Sequence, residues 1–201
     1  MPRSGYAYLI FSKTAGVALH TSESRVTGLL RLIFKHREQA EAVGGENFDV
    51  FVPPRRPGGQ NLAIRLSKPL ELFGSENITN GWQRPTSQPN AWVADREARD
   101  PELRLEWNQS RTISEATLYF DGDFDHAMET VLWGHPERVV PFCVKRYELV
   151  DDKGDIVAAA NENHHSLVRH RFEEPIVTAA LTLRVCETWG APAAVFETRV
   201  M

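Results

Sequence analysis

Apolar and polar residues alternate with period two along most of this chain. That is the signature of strands with one face buried and one face wet. The run Leu103–Trp107 (LRLEW) shows it most cleanly, with Leu103, Leu105 and Trp107 on one face and Arg104 and Glu106 on the other. A second amphipathic strand, RTISEATLYF, follows directly. In it Ala116, Leu118 and Phe120 are in phase and Ile113 is not, which predicts a bulge near Ser114. KRYELV and DIVAAA read as a hairpin turning at Asp152-Lys153-Gly154. SLVRHRF, then LTLRV with Leu181, Leu183 and Val185 inward, then AAVFETRV complete the series. A helical period is suggested only by the short run Arg37–Ala42.

The first third carries the apolar runs YAYLIFSK, GVALHTSE, GLLRLIFKH and FDVFVPP, broken at Gly, Ser or Pro, and reads as a β meander. Pro53–Gln60 (PPRRPGGQ) is the strongest punctuation, since proline withholds a ladder hydrogen bond and glycine permits positive φ. The strand NLAIRL comes after it. The predicted organisation is a small N-terminal β subdomain over residues 1–60 and an antiparallel jelly-roll sandwich over 61–201, all-β throughout. A β layer of that N-terminal size barely makes a core of its own and must pack on the jelly roll or on another chain.

Composition narrows the function more than the fold. At 201 residues, 42% hydrophobic and 25% charged, the chain is an ordinary globular one. A formal charge of −4 provides no basic field and argues against nucleic-acid binding. Arg55, Arg56, Arg96 and Arg99 read as solvated surface. The apolar run Tyr6–Phe11 is too short for a signal-peptide core, and no segment reaches membrane-spanning length, so a soluble, cytoplasmic protein without membrane contact is expected. Cys143 and Cys186 fit no metal spacing and read as free thiols.

The order Asn80-Gly81, Trp92–Asp95, LEW followed by RTISEATLYFD, CVKRYEL and AVFETRV resembles the discoidin or coagulation-factor C-type domain, a galactose-binding-like jelly roll, over about residues 73–201. The runs PPRRPGGQNLAIRLSKPLELFGSENITNGWQRP and DFDHAMETVLWGHPERVVPFCVKRYEL are similar to the C-terminal region of bacterial FAD-dependent oxidoreductases. No G-x-G-x-x-G between strand and helix is present, so no FAD is expected on this chain by that route. The resemblance implies either a carbohydrate-binding module or a structural subunit that completes a flavin oxidoreductase through protein contact.

The discoidin resemblance also implies a structural Ca²⁺ near the first loop and the chain end. The positions that match are Asn77, Asn80 and Glu197, with Asn80 standing where the family often has Asp. Glycan recognition needs an aromatic face and planar polar groups, and the loops offer Trp82, Arg84, Trp133, His135 and Trp189. Trp92 and Trp107 are expected in the core. Asp121–His126 (DGDFDH) fails as an EF-hand, since the sixth position is His126 and the twelfth Leu132. A zinc site from His126, Glu129 and His135 matches no known spacing. With no G-x-S-x-G, H-E-x-x-H or P-loop present, the expected role is non-catalytic.

Overall fold

The computed structural model describes residues 16, 20–22, 31–34, 49–52, 61–62, 67, 71–86, 88–122 and 139–201. Arg37–Ala42, Pro53–Gln60 and the segment carrying His126, Glu129, Trp133 and His135 lie outside them. In the first third, β1 (Thr21–Ser22) pairs antiparallel with β4 (Asn61–Leu62), and β2 (Arg31–Phe34) pairs antiparallel with β3 (Asp49–Val52). The outer pair therefore joins chain segments on either side of the inner one.

A single 3₁₀ turn, η1 (Ser75–Thr79), leads into β5 (Trp92–Val93), β6 (Glu102–Phe120), β7 (Val144–Val150), β8 (Ile156–Ala160), β9 (Leu167–Thr188) and β10 (Ala194–Val200). These six strands form one antiparallel sheet in the order β5-β10-β6-β9-β7-β8. Among the described residues no helix is long and apolar enough to cross a membrane.

One sheet becomes two layers because β6 and β9 are long and bend together. Glu102–Glu106 pairs with Ala180–Arg184, and Glu115–Tyr119 pairs with Leu167–Arg171, with the register shifting between Glu106 and Arg111 and again between Ile113 and Glu115. The first half of β6 thus joins the second half of β9, β7 and β8. The second half of β6 joins the first half of β9, β10 and β5. The layers face each other: the Tyr147 ring lies 5.2 Å from Phe120 and 5.8 Å from His170 across the core.

The sequence reads LRLEW and RTISEATLYF as two strands, and SLVRHRF and LTLRV as two more. Each pair is instead one bent strand. Residues 108–112 and 173–175 are exposed at the bend, where the chain turns without leaving the ladder for long. Pro175, which has no N–H to donate, falls in the unpaired stretch between Arg171 and Ile176. The register shift beside Ser114 is the bulge that the phase change at Ile113 predicts. The Met201 carbonyl accepts the Ser114 and Glu115 amides there.

The predicted core positions are inward. Leu103, Ala116, Leu118, Phe120, Leu181, Leu183 and Val185 are all buried. Trp92 and Trp107 pack against this core from its margin and are half-buried. The β7–β8 hairpin turns through Asp151–Asp155, with Gly154 at φ +92° and the Asp151 carboxylate accepting the Lys153 and Asp155 amides at 2.9 Å each. That left-handed φ is why glycine suits the position.

Candidate functional site

The loop between η1 and β5 is built around side-chain amides. Asn77 donates through Nδ2 to the carbonyls of Leu72 and Ala91, each at 2.9 Å, and so ties the entry of the loop to its exit. Asn80 accepts the Trp82 amide at 2.8 Å, an Asx turn that Gly81 completes at φ +86°. Asn90 takes a positive φ of 53° and donates to the Arg84 carbonyl at 3.1 Å and the Thr86 hydroxyl at 2.8 Å. Ile78 anchors the underside in the core at 2% exposure. Three asparagines hold the loop's shape.

This frame encloses an open cavity of about 330 Å³ lined by Glu76, Asn77, Asn80, Trp82, Gln88 and Asn90, together with Thr86. Trp82 stands at its edge, 51% exposed. Neither the Glu76 carboxylate nor the Gln88 carboxamide has a polar partner among the described residues. The cavity thus presents an indole surface, a carboxylate and a carboxamide, while its asparagines are engaged in structure. That set can stack on an apolar C–H face and accept or donate hydrogen bonds around it.

Of the residues predicted to meet a ligand, Trp82 lines this cavity, whereas Arg84 is in the same loop and is not part of the lining. Trp133 and His135 lie outside the described residues. Trp189, at the end of β9, is built into structure. Its indole N–H donates to the Asn163 carbonyl at 2.8 Å, His164 stacks on its ring at 4.6 Å, and the Lys145 ammonium sits 4.8 Å from the ring centroid. Glu187 and Glu162 hold that lysine at 2.6 and 3.4 Å. Trp82 and Trp189 do not line a common cavity among the described residues.

A larger groove of about 450 Å³ runs between residues 94–101 and 185–193, with Asp95, Arg96, Asp100 and Glu187 on its walls. No aromatic side chain lines it, and Glu187 already pairs with Lys145.

The residues matched to a Ca²⁺ ion are each engaged in hydrogen bonds. Calcium takes oxygen ligands, and Asn77 donates its amide nitrogen to the Leu72 and Ala91 carbonyls. Asn80 Oδ1 is occupied by the Trp82 amide. Glu197 is 5% exposed in β10 and both its oxygens are held by Arg199, at 2.8 and 3.0 Å. Among the described residues no group of three or more His, Cys, Asp or Glu converges as a metal site. Cys143 and Cys186 are free thiols, and burial together with the nearby Asp121 charge pushes Cys143 up to about 12.

No family model matches the chain, and no curated protein does. Solved structures do match. The family 32 carbohydrate-binding module from Streptococcus pneumoniae EndoD aligns with a TM-score of 0.50 at 14% identity, covering 68% of this chain and 90% of that one. The family 32 module of Clostridium perfringens NanJ, solved in complex with galactose, aligns with a TM-score of 0.48 at 13% identity over 67% of this chain and 88% of its own. A module from a family 31 glycoside hydrolase of Clostridium perfringens aligns with a TM-score of 0.48 at 16% identity over 65% and 86%. The likeness to the EndoD module shows the fold, an antiparallel jelly-roll sandwich, as the strand pattern predicts.

Proposed function

We propose that this chain is a non-catalytic carbohydrate-binding module whose ligand sits against Trp82 in the cavity between η1 and β5. The observation that carries this reading is the half-exposed indole beside Glu76 and Gln88, whose polar side chains have no partner among the described residues. The exposed indole offers a flat apolar surface next to polar groups. A sugar fits it well, since a pyranose offers an apolar C–H face to the ring and hydroxyls at its edge. The EndoD module, which shares the fold, is itself a carbohydrate-binding module. Fold alone does not choose a ligand, so the site carries the argument. A flavin oxidoreductase partner has no comparable feature in its favour among the described residues.

The test is glycan-array binding of the purified protein, with and without EDTA, repeated on Trp82→Ala. Binding that survives EDTA and disappears in the variant supports the reading. Binding unchanged in Trp82→Ala moves the site elsewhere, and no binding to any glycan removes the function.

A further inference from the structure

We infer that Glu76 is the specificity-determining residue of the Trp82 cavity, and that the cavity takes an uncharged sugar presenting adjacent hydroxyls while rejecting acidic ones. This rests on the carbohydrate-binding reading and adds a ligand class to it. The cavity lining contains one ionisable side chain, the carboxylate of Glu76, and no lysine, arginine or histidine. A ligand carboxylate or sulfate entering it would meet a like charge with no cation among the lining residues to offset it. A vicinal diol meets the opposite situation. The two carboxylate oxygens accept two hydroxyl protons, and hydrogen bonds to a charged acceptor are the stronger kind.

The Glu76 side chain is exposed, and its carboxylate lies over Gly74, which is at φ −71°. Asn77 and Asn90 donate their amide N–H groups within the loop and Asn80 accepts there, so Glu76 is the one charged acceptor in the lining.

The experiment compares one glycan scaffold ended by neutral galactosyl or glucosyl residues with the same scaffold ended by sialyl or glucuronyl residues. Titration calorimetry is run on the wild type, Glu76→Gln and Trp82→Ala. The wild type is expected to bind neutral ends and to bind acidic ends at least about tenfold more weakly. Glu76→Gln should weaken neutral binding about tenfold and narrow the gap to acidic ends. Equal binding of acidic and neutral ends by the wild type, or unchanged neutral affinity in Glu76→Gln, overturns the role of Glu76 while leaving the Trp82 site intact. Binding that ignores Trp82→Ala, or no binding at all, overturns the carbohydrate site and this inference with it.

Discussion

The interlayer core and the loop between η1 and β5 are held by opposite chemistry. Between the layers, Phe120, Tyr147, Leu118 and Leu181 are sealed from water and fill space against one another. In the loop the ordering is done by Asn77, Asn80 and Asn90, whose amides reach backbone groups that apolar packing could not satisfy. The two loop-end tryptophans show the same contrast. Trp189 gives its N–H to Asn163 and its ring to His164 and Lys145, whereas Trp82 leaves its ring exposed. An amide-built loop can hold an aromatic at the surface without drawing it into the core, which a packed loop cannot.

Four substitutions or conditions separate the regions, in descending effect on stability. Phe120→Ala removes a fully buried ring between the layers and should cost about 3–5 kcal/mol in chemical denaturation. Asn77→Ala strands the Leu72 and Ala91 carbonyls and should cost about 1–3 kcal/mol. It should also abolish glycan binding at temperatures where the sandwich remains folded by circular dichroism. If binding and sandwich melt together, the loop is part of the core's cooperative unit and the contrast fails.

The third concerns His170, which faces the core. His170 Nε2 lies 2.9 Å from the Tyr147 hydroxyl, and burial lowers the imidazole below its ordinary value of 6.5. A lowered histidine binds its proton less readily folded than unfolded, so its contribution is whole above that value and is lost as pH falls below it. The denaturation midpoint should therefore drop between pH 7 and pH 5.5, and His170→Phe should flatten that drop. An equal drop in the variant assigns the pH dependence to other groups. The smallest effect on stability belongs to Trp82→Ala, within about 0.5 kcal/mol either way as for an exposed residue. A large fall in melting temperature would mean that its indole packs into the loop instead of serving a ligand.

Much of the sandwich is legible in the sequence because alternation reports burial directly. Leu103, Leu118, Phe120 and Leu183 are inward as their phase requires, and the slip at Ile113 marks a real bulge. The continuity of β6 and β9 is not legible. The polar residues Asn108–Ser110 separate the two alternating runs, and a bent ladder exposes them without breaking the strand. Asn77 shows a different limit. Its position suggests a metal ligand, and only its hydrogen bonds reveal that nitrogen, not oxygen, faces the carbonyls. Glu76 and Gln88 escape the sequence reading because their meaning depends on which neighbours are already engaged.

The bent pair β6 and β9 also dictates how the protein comes to exist. Their contact Glu102–Arg184 joins positions 82 residues apart. Closing so long a segment costs chain entropy before any rung repays it, whereas the β7–β8 hairpin closes locally in about 1–10 µs. During synthesis at roughly 5–20 residues per second, β6 emerges on the order of ten seconds before its partner has been made. Through that interval Leu103, Leu118 and Phe120 have no strand to cover them. The nascent chain is most at risk of self-association then, and chaperone engagement should be concentrated there.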